Sequence, residues 1–388
     1  MAFLSLVRPL EESHADVLRA LAKRHGFPSV DEPGKLGPAV SALSALYNGL
    51  SGGAVAVDAR AHLGARLGFS FPRDVPKGAA AVRELVGTGL LALRGEKLRV
   101  LDVGSGLGAM SFGVLRALEA AGQSGEIDAT FVDADARALS LARELAGTTS
   151  DGAVRLNVTT RAEPLGAKLP PGPFDLVIAG QVLSELDEHA APEGRVTLHA
   201  ALVERLLGHV SPTGALVLVE PALRDRARHL HAVRDALVAQ GRTPFAPCLH
   251  AASCPARLRD DDWCHEDLPV DLPPWLVPVA RAAGLRHEGL SFAYLVLRPD
   301  GRSLATLMPS ARLRAVSSLL RSKGKEEIFA CGTFDGEPAK RRLRRLDRHA
   351  SEANAAWSSL ARGDLFDAGP LDGERLSEAA HVRIVEAP

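Results

Sequence analysis

The sequence predicts an α/β protein whose central region is doubly wound, with a helical region before it and a mixed region after it. Three observations carry this. An apolar run over 98–103 stops at the closely spaced glycines Gly104, Gly106 and Gly108 and gives way to a helix-compatible segment. Apolar strand-like runs then alternate with helical patterns as far as residue 220, the order expected of a sheet with helices on both faces. The four strand ends at Gly104, Asp133, Gly180-Gln181 and Glu220-Pro221 would open on one crevice, since ligands of such sheets sit beyond the carboxyl ends of the strands.

The elements follow in order. Residues 1–95 read as a helical N-terminal domain, with helical spacing of apolar residues over 10–25 and 40–50. The pattern breaks at Phe69-Ser70-Phe71-Pro72 and resumes over 77–86. The central domain, 96–299, is expected to hold strands at 98–103, 127–132, 154–158, 175–179 and 215–219. Helices are expected at 109–121, 136–146, 196–207 and 224–240. Residues 244–270 form an irregular insert, after which come two short apolar runs, 287–290 and 292–297. A C-terminal extension, 300–388, is rich in Arg and Lys; its mixed structure is expected to reach about residue 364, with the last dozen residues having little reason to be ordered.

Composition sets bounds. The chain has 388 residues, 46% of them hydrophobic, enough for a core of two or three domains. Lys plus Arg (46) balance Asp plus Glu (47), so net charge does not point to nucleic acid, whereas local clusters do. No apolar run approaches the ~20 residues of a membrane span, and the first residues resemble neither a secretory signal nor an acid-poor transit peptide. A cytoplasmic location is the resulting expectation. Oligomeric state is not legible.

The glycines read G-x-G-x-G rather than the dinucleotide pattern G-x-G-x-x-G, and Asp133 lies 29 positions after Gly104, beyond the roughly 20 expected for a nicotinamide cofactor. With Asp102 two positions before the first glycine, this stretch resembles the S-adenosylmethionine-dependent methyltransferases. The resemblance implies a Rossmann-like class I methyltransferase fold ending in an antiparallel hairpin. It implies that Gly104, Gly106 and Gly108 hold the methionine part of the cofactor and that Asp133 holds the ribose hydroxyls; Asp102 and Gln181 are further candidates for the cofactor site. Methyl transfer asks mainly for alignment. Enzymes that methylate exocyclic amines usually carry an Asn/Asp-Pro-Pro-aromatic loop after the fourth strand, where this chain has Ala179-Gly180-Gln181-Val182, so no catalytic residue is assigned.

The chain has four cysteines, Cys248, Cys254 and Cys264 in the insert and Cys331 a further 67 positions on. Clustered thiols in an irregular segment of a cysteine-poor chain point to a metal rather than to packing. Disulfides are disfavoured without an export signal. The gaps lack the paired spacing usual for zinc, and an iron–sulfur cluster takes four loop-borne thiolates; zinc, or no metal, are the alternatives. His250 and His265 are possible further donors.

The glycine loop, Val182-Leu183-Ser184-Glu185-Leu186, Glu220-Pro221, the cysteine insert, the run over 291–297 and Cys331 occur in this order. Together they resemble the methyltransferase-like family of the mitochondrial ribosomal small subunit, which has bacterial members. The likeness spans about 35–365. It implies a 4Fe-4S cluster on Cys248, Cys254, Cys264 and Cys331, S-adenosylmethionine binding, and action on small-subunit ribosomal RNA or on assembly of that subunit. A non-catalytic assembly or translation factor that keeps the cofactor fold is the alternative. One departure is Glu220-Pro221-Ala222-Leu223, where the family tends to have a Gly-Thr-Pro turn. Arg341, Arg342, Arg344 and Arg345 are the candidate RNA contacts, meeting phosphates rather than reading bases; a solvated helix face is the plainer explanation. With aromatics at 4%, stacking on single-stranded bases is poorly supported.

Overall fold

A computed structural model describes residues 3–47, 59–93, 97–149, 152–166 and 168–385. The chain forms two compact units, each assembled from separate segments. One combines Leu4–Glu185 with Pro269–Leu290, the other Leu186–Leu268 with Ser291–Pro388.

The first unit opens with α1 (Glu12–His25), α2 (Pro33–Tyr47) and α3 (Ala59–Ala65). The last three residues of the helix expected over 40–50 lie outside the described residues. The expected break at 69–72 is not a break: a π-helical turn, Arg66–Ser70, runs directly into α4 (Phe71–Gly87). Pro72 lies in the first turn of α4, directly after the π-helical turn. Then come β1 (Leu98–Val103), α5 (Ala109–Ala120), β2 (Gly125–Asp133), α6 (Ala136–Ala146), β3 (Val154–Ala162) and β4 (Phe174–Gly180). All four strands are parallel, in the order β3-β2-β1-β4, with Val103 opposite both Val132 and Ala179. Parallel strands covered on both faces need apolar side chains throughout, and β1 and β4 are buried along nearly their whole length. Helix α4 lies against α5 through Gly78 and Gly113, where a Cβ on either residue would run into the other helix's backbone.

The second unit contains α7 (Pro192–Leu207), β5 (Val210–Glu220), α8 (Arg224–Ala239), β6 (Pro244–Ala246), β7 (Glu266–Leu268) and β8 (Leu290–Leu297). Strand β8 runs antiparallel to β5 and to β6. The hairpin expected from 287–290 and 292–297 is therefore corrected to a single strand. One residue between two runs is too few for a turn, and the chain before β8 instead bends at Gly289 (φ 69°), whose N–H donates to Asp271 Oδ1 at 2.8 Å. These strands and crossovers are those of a Rossmann-like class I methyltransferase fold, as predicted.

The C-terminal region is more regular than the sequence suggests. It comprises β9 (Leu313–Ala315), β10 (Leu320–Ser322), β11 (Lys325–Phe334), β12 (Glu337–Leu346), a 3₁₀ segment (Glu352–Ser359), β13 (Leu365–Asp372) and β14 (Arg375–Ile384). Strand β11 pairs with both β9 and β12, β12 pairs in parallel with β14, and β13 joins β14 back to β9. The sheet thus closes on itself. With β9 and β10 counted as one bent first strand, the order is 1-2-3-5-4-1 with a helical turn before the fourth strand, that of an OB-type barrel. Trp357, Phe366, Ile328 and Leu343 fill its core. The last dozen residues, expected to be loose, supply most of β14, because Leu376, Ala380 and Val382 face that core. Among the described residues no helix is long and apolar enough to cross a membrane.

Candidate cofactor site and thiol cavity

The first site lies where β1 meets α5. Gly104, Gly106 and Gly108 have φ of 65°, 52° and 82°, a region open to glycine at little cost. The loop folds back on β2. The N–H groups of Gly104 and Ser105 donate to Val132 O at 2.8 and 3.2 Å, and Gly106 N–H donates to Asp133 Oδ2 at 2.7 Å. Asp135 N–H donates to Asp133 Oδ1 at 2.8 Å. The glycine loop and the second-strand acid, read separately along the chain, are therefore bonded to each other.

The loop is closed on one side and open on another. A Cβ on Gly104 would fall 2.6 Å from Val182 Cγ2, and one on Gly108 would overlap the Phe131 ring. A Cβ on Gly106 would meet nothing within 4 Å. Asp102 is fully buried, and its Oδ2 accepts from Ser111 Oγ at 2.6 Å and from Ser111 N–H at 3.3 Å. Its Oδ1 has no partner among the described residues. Burial pushes the Asp102 carboxyl up to about 7, against the Ser111 hydrogen bonds. An orphaned acceptor beneath an open glycine turn fits a ligand that brings donors.

The helical N-terminal region supplies residues that sequence reasoning missed. Arg66 lies 3.4 Å from Asp135 Oδ2. Burial works against its charge, but Tyr47, Asp133 and Glu185 outweigh that and raise its pKa. Gln181, at φ 62° just past β4, donates from Nε2 to Asp74 Oδ2 at 2.9 Å. Asp74 is paired with Arg73 (2.9 Å) and Lys77 (2.8 Å). Burial alone would raise the Asp74 carboxyl; the two cations prevail and hold it well below the usual carboxylate range. The i, i+3 spacing of Asp74 and Lys77 was the one available signal, and it is common on any helix.

The second site belongs to the second unit. Cys248, Cys254, Cys264 and Cys331 all line one cavity, together with Arg234 and Lys340. Cys331 comes from β11, and its Sγ is 3.9 Å from His250 Nε2. One face of α8 ties down the irregular insert. Arg228 donates to Arg259 O (2.5 Å) and Asp262 O (2.7 Å), and Arg234 to His250 O (2.7 Å) and to Ala252 O. His231 Nε2 accepts from Cys264 N–H at 3.2 Å, and Asp235 Oδ1 accepts from Cys254 N–H at 3.0 Å. Residues 228, 231, 234 and 235 fall on one helix face by the 3.6 period. Burial, then the neighbouring thiols, pushes Cys254 and Cys264 up to about 12 and raises Cys331 as well. Arg234 is buried and its Nε has no acceptor among the described residues. No three Cys, His, Asp or Glu side chains among those residues stand close enough to hold a single ion.

The four arginines proposed for RNA lie on β12, not on a helix, and alternate between its faces. Arg345 is corrected: it points inward, 7% exposed. Its guanidinium is taken up by Glu326 Oε2 (2.8 Å), Ser358 Oγ (2.6 Å) and Asn354 (3.1 Å), so it is not placed to meet a phosphate. Arg341 covers the Phe334 ring and is 3.5 Å from Asp335. Lys340, Arg342 and Arg344 share the other face with Phe329 and Cys331, the latter directly opposite Lys340. Lys340 and Arg342 lie over the Phe329 ring, and both are also ion-paired, to Asp262 (2.5 Å) and Glu327 (2.8 Å).

A family model described as "Mitochondrial small ribosomal subunit Rsm22" matches residues 96–316, more than half of the chain. No curated protein matches the chain. Among solved structures, the chain is similar to the mitomycin 7-O-methyltransferase MmcR, with 14% identity over 61% of this chain and 56% of that one and a TM-score of 0.33. It is also similar to the N-methyltransferase NodS from Bradyrhizobium japonicum WM9 in complex with S-adenosyl-l-homocysteine (12% identity, 59% and 88% covered, TM-score 0.34). A methyltransferase from Pyrococcus furiosus gives 11% identity, 57% and 83% covered, and a TM-score of 0.33. The alignment with the first spans little more than half of that protein's length, and likeness at these values concerns the fold alone.

Proposed function

Because the chain belongs to the Rsm22 family of the mitochondrial small ribosomal subunit, we propose that it binds S-adenosylmethionine and methylates small-subunit ribosomal RNA. The observation that carries this reading is the pairing, in one chain, of a glycine loop hydrogen-bonded to its second-strand acid and an OB-type barrel. Barrels of that topology bind oligonucleotides on the face of their second and third strands, here β11 and β12. That face carries Arg342 and Arg344 beside Phe329, whereas Lys340, on the same face, lines the thiol cavity. Arg342 would exchange its pair with Glu327 for a phosphate, with the salt dependence this entails.

Gly104, Gly106, Gly108, Asp102 and Asp133 would hold the cofactor, which when bound supplies an electrophilic methyl group. The protein then has to align the nucleophile and exclude competing water, and alignment is worth most of the rate. A 4Fe-4S cluster on Cys248, Cys254, Cys264 and Cys331 would join the insert to β11. Support comes from the shared cavity, the unsatisfied Arg234 Nε and the neighbouring Lys340, which suit an anionic, sulfur-rich group. A cluster takes one thiolate per iron, so its ligands stand further apart than the four donors of one zinc.

Two measurements test the reading. Calorimetric titration with S-adenosylhomocysteine should show one site per chain, and mapping of small-subunit RNA from a deletion strain should show one methyl mark lost. Binding without a lost mark would instead assign an assembly role. Protein purified without oxygen should be brown with about four irons per chain; a colourless preparation holding one zinc rejects the cluster.

A further inference from the structure

The first unit holds a cavity of about 360 Å³ away from the glycine loop. Val154, in its wall, begins β3 and pairs in parallel alignment with the start of β2, whereas Asp133 ends that strand. Residues between 6 and 18 form one side of the cavity, and residues of α4, α5 and the start of β3 form the others; no residue of the glycine loop lines it. Its floor is apolar, with Leu10, Leu18, Phe71, Phe112, Leu115 and Val154 all buried, and Phe71 meets Phe112 edge to face at 5.1 Å. An apolar cavity of about 150 Å³ takes a benzene, so this one has room for a body of roughly 10–14 non-hydrogen atoms. Its rim is polar and exposed, with Arg8, Glu11, Ser13 and Thr148.

Arg116 of α5 is the buried cation of the wall, its side chain only 12% exposed. It donates to Pro9 O at 3.0 Å and lies 3.4 Å from the carboxylate of Glu11, which is 66% exposed. Its Nη1 is 3.3 Å from His14 Nε2. A guanidinium only donates, so that nitrogen of His14 carries the lone pair, and the neutral ring bears its proton on Nδ1. Burial, reinforced by Arg116, favours this neutral form. The Nδ1–H is itself buried and has no well-formed hydrogen bond among the described residues. Glu119, the other acid of the wall, is engaged by the Val154 N–H at 3.3 Å. A largely buried guanidinium whose carboxylate partner reaches it from solvent, beside a buried donor lacking an acceptor, is a seat for an anion above an apolar floor.

We infer that this cavity binds an amphipathic carboxylate, its hydrocarbon body on the apolar floor and its head on Arg116 in place of Glu11. Charge selects a monoanion, because a dianionic phosphate head would add a second negative charge beside Glu11 and Glu119. The occupant fastens the N-terminal segment to α5, since each supplies part of the apolar floor and part of the polar seat.

The test is calorimetry on full-length protein purified without oxygen, with decanoate as the probe and decylamine and 1-decanol as comparisons. One decanoate should bind per chain, about 10- to 100-fold more tightly than 1-decanol, the range for a charge-assisted contact. Absence of saturable binding, or decylamine or 1-decanol binding as tightly as decanoate, overturns the inference. Arg116→Met should lower decanoate affinity about 10- to 100-fold and leave that of 1-decanol within about twofold. Glu11→Gln, at an exposed position, should raise decanoate affinity about 2- to 5-fold, because the ligand no longer competes with an ion pair of that worth. Unchanged affinity in both variants places decanoate elsewhere on the chain and overturns the assignment. If Arg116→Met fails to fold, Glu11→Gln decides. In the wild type, decanoate should also slow amide hydrogen exchange over 12–25, and exchange that does not slow overturns the fastening role.

Discussion

Single residues decide whether the glycine loop can work, and they do so unequally. Gly104 and Gly108 are closed in by Val182 and Phe131, whereas Gly106 faces open space with φ 52°. Gly106→Arg should therefore fold, at a cost of roughly 1–2 kcal/mol for the left-handed backbone, yet lose S-adenosylhomocysteine binding in calorimetry; retained affinity would remove the loop from the site. Asp102 makes a different prediction. Its carboxyl is raised to about 7 by burial, so between pH ~4 and ~7 the folded chain holds a proton that the unfolded chain has released. Stability from this residue is thus lost as pH rises through that window. Asp102→Asn should gain on the wild type over the same window, by about 4 kcal/mol at most. Denaturant unfolding at pH 4 and pH 8 measures it, and a difference that does not change with pH refutes the buried-acid account. The glycine turn at Gly104, Gly106 and Gly108 was legible from the chain because backbone at positive φ restricts residue type, and Asp133 because it ends a strand. Arg66 and Asp74 were not legible: any helix can carry them, and only packing brings Arg66 to Asp135 and Asp74 to Gln181.

At the scale of elements, α4 and α5 set the position of Asp74. They meet at Gly78 and Gly113, and a methyl group on Gly113 would collide with the backbone of Val75 and Ala79. Gly113→Ala gains up to about 1 kcal/mol of helix propensity but costs about 1–3 kcal/mol of overpacking against an unyielding backbone. Net destabilisation is expected, with a lower melting temperature; an unchanged or raised one would show that α4 moves freely. The strands and helices of the first unit follow the sequence reading closely because period 2 and period 3.6 survive in long buried elements. The reading fails at short ones. The π-helical turn Arg66–Ser70 and strands β6 and β7 of three residues each are held by neighbours, not by pattern. The insert is held likewise by Arg228, His231, Arg234 and Asp235 of α8, whose helical spacing was visible but whose target was not.

At the scale of the whole molecule, each compact unit is built from segments far apart in the chain, and the barrel is the clearest case. Its closing strand β14 runs from Arg375 into the last dozen residues, which in the sequence have little reason to be ordered. A chain ending at residue 372 should lose the seat of Leu376, Ala380 and Val382, each worth about 1.5–3 kcal/mol when a large side chain is fully buried and less for alanine. Rapid proteolysis of residues 313–372 in that truncated chain is the expected result, and wild-type resistance would show that the barrel closes without β14. The sequence by itself determined the doubly wound region, the glycine loop with its acid and the thiol set, because local periodicity and restricted residue types leave a linear trace. The tertiary structure alone decided that four distant thiols share a cavity, that the basic strand belongs to a closed barrel with Arg345 inside it, and that Asp74 fixes the amide of Gln181. Those facts depend on which surfaces meet, and contact across long stretches of chain leaves no periodic mark in the order of residues.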